Sequence, residues 1–410
     1  MRIKKVMLFL HRWLGFISGL VVFIVSVTGC IFCFQKEISD VIYRKQLLVN
    51  PPVHGVTLPI SQLKQTAQAA LHSPTVSITA YTDPGMAWEC MYYKPGNDKA
   101  FWVFDTMEAY KSVFINPYTG QITGMRDYKT DFFMVVKYIH WSLLLNTRYG
   151  QPIVGYSTLI FVVLLITGLI LWWPKNLKRA NFNKSFKVKW NASFKRLNYD
   201  LHNVLGFYAT LVALVLALTG MVMAMQWFNK AVYVVASQSI IPPAFKTFTS
   251  DSTAKQIAQP LNVAFKAAWQ SFPDAKRIMI TPAATTKDVI YAYGYRGKED
   301  FYDWDILRFD QYSGKLLNRE NFKDKNNGEK LLTMNYDIHV GAIWGLPGKI
   351  LAFIASLISA SLPVTGLLVW LGKRKKFKRK SNQGSDVQGA DSLVQRSTTK
   401  ISRVYQAGKA

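Results

Sequence analysis

Cysteine is scarce in this chain, with three in 410 residues. Cys30 and Cys33 form a CxxC inside an apolar run with no βαβ pattern beside it, which is typical of packing residues, and Cys90 has no evident partner. The sequence therefore predicts no disulfide framework. It also lacks the patterns HExxH, GxSxG and GxGxxG, a P-loop and any flavin fingerprint, so no common hydrolase or nucleotide-binding motif is indicated.

Acidic residues are also few, with 24 Asp and Glu against 50 Lys and Arg and a net charge of +26. In a soluble protein this balance would suggest nucleic acid, but no nucleic-acid-binding motif is present and the basic residues cluster beside long apolar runs. Four such runs lie near 13–34, 153–173, 204–228 and 350–371. Each reaches the roughly 20 residues that cross a bilayer core. The predicted fold class is an α-helical membrane protein with four transmembrane helices.

The basic clusters also predict an orientation in the membrane. They precede helix one, fill the link between helices two and three, and follow helix four. By the positive-inside rule, both termini and this link are expected on the cytoplasmic side, and 36–149 and 229–346 outside. The start of the chain resembles a signal peptide with VTGC at Val27 to Cys30, but the apolar run continues to Phe34. Helix one is therefore expected to be retained.

Two kinds of segment each occur twice along the chain. HRWLGFISGLVVFIVSVTG begins at His11 and HNVLGFYATLVALVLALTG at His202, each with a histidine 17 residues before a threonine. The longer segments, Tyr138 to Trp172 and Asp337 to Trp370, each contain a histidine, a glycine-containing turn and the ending TGLxxW. Their order is short, long, short, long. This order indicates an internal duplication.

The two outside segments are predicted to be similar α+β modules. The first is expected to have a helix at 58–71, strands near 75–82, 88–93, 101–105, 111–115 and 121–124, and the turn NPYTG. The second is expected to have a helix at 254–271, strands near 277–281, 288–295 and 307–310, and the turn DQYSG. Gly120 and Gly314 match in these turns and favour the positive φ of a tight hairpin.

These patterns predict eight successive regions. They are helix one (1–35), module one (36–137), an outer histidine segment with helix two (138–174), a basic cytoplasmic linker (175–200), helix three (201–228), module two (229–336), an outer histidine segment with helix four (337–372), and a basic cytoplasmic tail (373–410). The composition of the tail, rich in Ser, Gln, Gly and Thr, predicts disorder.

Four of the six histidines mark the four membrane segments. A single histidine at a membrane boundary is commonly an interfacial hydrogen-bonding group, but ionisable groups repeated at membrane depth indicate function. His11 and His202 are expected at the cytoplasmic face, and His140 and His339 at the outer face. His54 and His72 have no counterparts, so they are predicted to be surface residues. The candidate functional residues are therefore the four histidines of the membrane segments.

A twofold axis along the membrane normal would place the members of each histidine pair opposite one another. Two opposed imidazoles are the axial ligands that a six-coordinate haem iron needs. A zinc or copper site is a weaker alternative, because no Cys, Asp or Glu accompanies these histidines at ligand spacing. Gly15 and Gly206 lie one turn after His11 and His202. They are predicted to give a porphyrin room, although close helix packing explains them nearly as well.

The motifs IHWSLLL with TGLILW, IHVGAIWGLPGKI with TGLLVW, and the two turns resemble the PepSY-associated transmembrane proteins of bacteria. The resemblance runs from His11 to about Lys380. It implies a multi-pass protein of the bacterial cytoplasmic (inner) membrane with two periplasmic α+β PepSY-like modules. Similar members include di-haem ferric-siderophore reductases of iron uptake. One departure is Asn146, because NTRYGQP stands where the second half has GLPG.

Carried over by position, the resemblance implies two haem b groups with four axial ligands, His11, His202, His140 and His339. Electrons would pass from a cytoplasmic quinol, flavoprotein or soluble carrier to a periplasmic ferric siderophore or other acceptor. Scattered basic residues outside the membrane could attract an anionic chelate, although solvated surface charge explains them too; they are Lys111, Arg126, Lys129, Lys137 and Arg148. One alternative is a membrane-anchored PepSY protein that binds or regulates a periplasmic peptidase or transporter without redox chemistry. A solute permease is another.

Overall fold

The computed structural model describes residues 2–73, 76–174, 179–243, 246–297 and 301–372. The helices are α1 (Arg2–Cys33), α2 (Gln35–Ile42), α3 (Arg44–Leu47), α4 (Ile60–Leu71), α5 (Phe132–Ser142), α6 (Thr147–Trp172), α7 (Arg179–Phe186), α8 (Phe194–Asp200), α9 (Gly206–Ala224), α10 (Gln226–Ser237), α11 (Pro260–Ser271), α12 (Asn327–His339) and α13 (345–372). The strands are β1 (Ser77–Tyr81), β2 (Trp88–Pro95), β3 (Met107–Ile115), β4 (Ile122–Asp127), β5 (Arg277–Thr281), β6 (Val289–Tyr295), β7 (Trp304–Asp310) and β8 (Leu316–Glu320). The predicted disordered tail, 373–410, and linker residues 175–178 lie outside the described residues.

Four helical segments are long and apolar enough to cross a membrane, and they contain most of each predicted apolar run. They are Ile3–Cys33, Thr147–Trp172, Phe194–Ala224 and Ala342–Gly372. Their outer surfaces expose large apolar side chains such as Ile17, Leu20 and Leu211, each at least 70% exposed. Lipid accepts such side chains, while the helical backbone satisfies its own polar groups. The chain is a membrane protein with four candidate spans.

Two lysines show which helix ends lie together. Lys4 donates from Nζ to the carbonyl of Trp173, just after α6, at 3.2 Å. Lys195, in α8, donates to the carbonyl of Gly372 in α13 at 3.1 Å. Cations at helix C-termini bond carbonyls that the helix leaves without partners. The starts of α1 and α8 therefore lie beside the ends of α6 and α13, at the end of the bundle that we call the far end.

The eight strands form one antiparallel sheet in the order β4-β3-β2-β1-β5-β6-β7-β8. The central pair joins the two halves of the chain, with Ile78 opposite Ile280 and Ala80 opposite Ile278. Helices α4 and α11 pack against one face through a buried core that includes Leu63, Trp88, Leu261, Phe272 and Ile278. The two predicted α+β modules thus share one sheet and one core.

Several predicted elements differ from those in the structure. Residues predicted as a strand near 101–105 form a 3₁₀ turn, Val103–Thr106, because the Val103 N–H bonds the Leu144 carbonyl rather than a neighbouring strand. The helix predicted from 254 begins at Pro260, a residue favoured in a first helical turn. Strand β8 and helices α2, α5, α10 and α12 were not predicted. The predicted boundaries at 137/138 and 336/337 fall inside α5 and α12.

Two loops of the sheet dock onto the helix ends that lead into the bundle. The Asn146 side chain caps α6 by accepting from the Arg148 N–H at 3.0 Å and donates to the carbonyls of Asp98 and Ala100 at 2.8 and 2.7 Å. In the second half, the carboxylate of Asp337 accepts from the Phe301 N–H at 3.1 Å. The sheet therefore fixes the start of α6 and the end of α12, at the end of the bundle that we call the sheet end.

One partly buried ion pair joins α13 to α2, and its loss is expected to destabilise the fold. Lys349 Nζ lies 2.7 Å from Glu37 Oε1, and the lysine side chain is 7% exposed. We expect Lys349→Met to leave the carboxylate without this partner and to cost about 1–3 kcal/mol. Thermal unfolding in detergent measures the loss. Lys36→Met, in an exposed pair with Asp40, is the matched control. Equal melting temperatures for the two variants would contradict the prediction.

Candidate functional site

The four repeated histidines form two pairs inside the helix bundle. The rings of His11 and His202 have centroids 6.3 Å apart. Those of His140 and His339 are 6.0 Å apart. The first, which we call the far pair, lies near the far end, and the second, the sheet-side pair, lies near the sheet end. Each pair takes one histidine from each half, as the duplication predicts.

Helix ends position two of these side chains, the interior of a long helix positions the third, and a helix irregularity positions the fourth. His11 lies in the first part of α1, His140 near the end of α5, and His339 at the last residue of α12. His202 lies in a π-helical stretch, Leu201–Leu205, that joins α8 to α9. Such π segments occur frequently at functional sites. His54 and His72, by contrast, are exposed, as predicted.

Each histidine contacts a threonine on another helix through Nδ1. The distances to the threonine Oγ1 are 2.9 Å for His11 and Thr167, 2.9 Å for His202 and Thr365, 2.9 Å for His339 and Thr219, and 3.2 Å for His140 and Thr28. Within each half of the chain, the histidine of the short segment contacts the threonine of the long segment. The histidine of the long segment likewise contacts the threonine of the short segment. One contact is therefore repeated four times.

The hydrogen bonds of the threonines fix the histidine tautomer. Every one of these hydroxyls donates to the carbonyl four residues earlier, with distances of 2.7–2.8 Å to Ile24, Val163, Val215 and Ser361. Having used its hydrogen, the hydroxyl oxygen accepts from the histidine Nδ1–H. His140 Nδ1 also lies 2.9 Å from the Val25 carbonyl, which can only accept. Nε2 therefore carries the lone pair of each ring.

A glycine follows each of these threonines and lies against the same histidine. A Cβ added at Gly29, Gly168 or Gly220 would lie 3.3 Å from the histidine Cε1, and one at Gly366 would lie 3.1 Å from it. These separations are tighter than most Cβ contacts. The Thr-Gly dipeptide therefore supplies both the acceptor for Nδ1–H and the space for the ring. Its recurrence is visible in the sequence, but its role was not predicted.

The glycines predicted to make room for a cofactor lie elsewhere. A Cβ at Gly15 would approach only Leu164, at 3.9 Å, and one at Gly206 only Leu362, at 3.4 Å. Both glycines pack between helices of the bundle, which is the alternative that the sequence left open. Their contribution to a cofactor site stays a prediction.

A cavity of about 180 Å³ surrounds the sheet-side pair. Its lining comes from α1, α5, α6, α9, α12 and α13 and is mainly apolar, with Gly29 and Gly220 beside the two histidines. Lys137 and Tyr336 also line it. Of the described residues that form this lining, none is a carboxylate. The cavity could therefore hold a flat, largely apolar group against the histidines.

The donor set limits what these pairs could bind. Within the described ranges, no group of three or more His, Cys, Asp or Glu is placed to hold a metal ion. Each site thus offers two imidazole nitrogens. A metal–imidazole bond is about 2.0 Å, and the ring centroid lies about 1 Å beyond the nitrogen, so rings on opposite sides of one metal stand about 6 Å apart. Both pairs have this separation.

The two pairs are separated along the bundle. Thr28, which bonds His140 of the sheet-side pair, lies 17 residues after His11 of the far pair on the continuous helix α1. Seventeen residues of α-helix rise about 25 Å. The pairs therefore lie near opposite faces of a bilayer core.

Comparison with known proteins identifies the family. The family model described as PepSY-associated TM region matches residues 8–373, which include all four histidines and all eight strands. No curated protein matches the chain. Because the match covers most of the sequence, the chain belongs to the PepSY-associated transmembrane family.

Proposed function

We propose that this protein carries electrons across the bacterial cytoplasmic membrane on two haem b groups and reduces ferric-siderophore iron in the periplasm. The observation that carries this proposal is the pairing of two imidazoles, with ring centroids 6.0–6.3 Å apart, at each of two levels in the bundle. The threonine contacts keep the proton on Nδ1 and so leave a lone pair on Nε2 of each ring. Haem iron brings four ligands of its own and needs two more on opposite sides. His11 with His202, and His140 with His339, would supply them.

The residues around the pairs fit haem in four further ways. Ligating histidines usually donate their other ring N–H to a fixed acceptor, and the four threonines do this here. Glycines beside the rings allow close approach, and the sheet-side cavity is mainly apolar. Small residues such as Ala213 and Ala217 in its wall leave space for a flat group. A mainly apolar lining also limits the entry of water, which helps to set a redox potential.

Bound haem would supply one-electron carriers at the two sites. The protein holds each imidazole in one orientation and one protonation state. The ligands are therefore already in position when an electron arrives. The substrate step transfers one electron to a ferric chelate, giving a ferrous chelate. Ferrous iron binds hard oxygen donors less tightly, so the siderophore releases it.

The proposed orientation follows from charge. The far end of the bundle lies next to the basic link and basic tail of the sequence, which the positive-inside rule assigns to the cytoplasm. The sheet then lies in the periplasm, as two joined PepSY-like modules. A cytoplasmic quinol, flavoprotein or soluble carrier would donate electrons at the far pair, and the ferric siderophore would accept them near the sheet-side pair.

A reduced-minus-oxidised visible spectrum of the detergent-purified full chain, with pyridine-haemochrome quantification, tests the proposal. We expect two haems per chain and reoxidation of the dithionite-reduced protein by a ferric siderophore. A protein that stays colourless after expression with ample haem would overturn it. The remaining interpretation would then be a membrane-anchored PepSY protein that binds a peptidase or transporter, for which pull-downs with the purified protein would be the next step.

A further inference from the structure

Among the described residues that line the cavity around the sheet-side pair, one is a lysine, Lys137, and none is an arginine. This lysine lies in α5, one turn before His140, and its side chain is half-buried. Across the described parts of the chain, its ammonium has no hydrogen-bond or ion-pair partner. Burial lowers the pKa of Lys137. An anion in the cavity would stabilise this half-buried ammonium.

The second half of the chain places a tyrosine in the equivalent position. Tyr336 lies one turn before His339 in α12, as Lys137 lies before His140. It lines the same cavity, and its ring packs edge-on against Phe301 with centroids 5.5 Å apart. The duplication thus places two hydrogen-bond donors of different kinds in one cavity lining, one from each half of the chain.

The positions of these donors match the direction in which charged groups leave a membrane. Each donor precedes a histidine of its own helix by three residues, which is a rise of about 4.5 Å along the helix axis. Charged groups of a membrane-bound ligand avoid the bilayer centre and point toward water. Because α5 and α12 lie at the sheet end of the bundle, the carboxylates of a ligand bound at the histidines would meet Lys137 and Tyr336 in the same cavity.

We propose that Lys137 and Tyr336 bind the propionate carboxylates of the sheet-side haem. This inference rests on the proposed function and adds the residues that orient the cofactor. The ammonium forms a charge-assisted hydrogen bond with a carboxylate, and the phenol donates a second. The apolar lining offers no competing carboxylate. The positive charge of Lys137 also stabilises the reduced, more negative state of the haem and raises its potential.

Variants of both residues in the full chain test the assignment. Lys137→Met removes the charge at similar length, Lys137→Arg keeps it, and Tyr336→Phe removes only the hydroxyl. Lys287→Met, at an exposed position in the loop between β5 and β6, is the matched control. Potentiometric titration of the visible spectrum follows the two haems separately. Haem release into excess apomyoglobin measures how firmly each is held.

In Lys137→Met, we expect a lower potential for one haem, an unchanged potential for the other, and about tenfold or faster release of the affected haem. Lys137→Arg should restore most of both properties, and Tyr336→Phe should speed release with a smaller shift in potential. Potentials and release rates equal to those of Lys287→Met would overturn the assignment. So would a higher KM for a carboxylate-bearing ferric chelate with no change in haem, because the anion would then be the substrate.

These outcomes separate the two proposals. A wild-type chain that binds no haem overturns the proposed function and this assignment together. A wild-type chain with two haems, combined with a Lys137→Met variant that holds both of them unchanged, overturns the assignment alone.

Discussion

Alanine at both His11 and His202 is expected to leave one haem per chain, and alanine at both His11 and His140 to leave none. The reason is the pairing, since His11 faces His202 with ring centroids 6.3 Å apart, and His140 faces His339 with centroids 6.0 Å apart. Removing both members of one pair empties one site. Removing one member of each pair leaves both sites with a single imidazole, and haem iron that loses one of two axial ligands is held far less firmly.

This comparison keeps the number of substitutions constant, so general destabilisation affects both double variants. Pyridine-haemochrome assay gives the haem per chain, and the reduced spectrum shows which haem remains. The His54→Ala variant is the control, because His54 is exposed and lies outside the bundle. Equal haem contents in the two double variants would show that the histidines do not act as these pairs.

Valine in place of Thr167 or Thr365 is expected to weaken the far-pair haem, and valine in place of Thr28 or Thr219 the sheet-side haem. Each threonine accepts from a histidine Nδ1–H, and valine has the same shape without that acceptor. Loss of such an outer contact costs about 10–100-fold in metal affinity. The histidine itself remains, so the haem should still bind at high concentration.

Thr210→Val is the matched control for this series. Thr210 also lies in a span, but its hydroxyl bonds only the Gly206 carbonyl of its own helix, at 2.7 Å. Competition with apomyoglobin at several haem ratios measures the affinities. If Thr210→Val weakened a haem as much as Thr167→Val, the threonine contacts would have no special role in ligand orientation.

Sequence periodicity was sufficient to predict the four spans and the two histidine pairs. Long apolar runs need little tertiary context, because their length alone suits a bilayer. The repeated offsets of His11 and His202, and of His140 and His339, required the members of each pair to occupy equivalent places in the two halves. A twofold arrangement then brings equivalent residues together wherever they lie near its axis.

The threonine partners could not be predicted in the same way. Thr28 follows His11 in one helix, yet it bonds His140 on another, and only the packing of α1 against α5 decides this. Lys137 was similarly grouped with other basic residues, because its sequence neighbours do not show the cavity wall that it joins. The pairing of β1 with β5 was also missed, since it joins strands about 200 residues apart through backbone groups that carry no sequence signal.

The β1–β5 pairing makes the molecule equivalent to a closed C2 dimer whose two subunits are joined in one polypeptide. Antiparallel pairing of two like strands is an isologous contact, in which each partner presents the same edge to the other. A chain of half this length would expose the β1 edge and carry one unpaired imidazole at each depth. Association of two copies would pair the two β1 edges and would also pair the imidazoles. Fusion into one chain removes the entropy cost of that association and frees each half to diverge, as Lys137 and Tyr336 have done at one equivalent position.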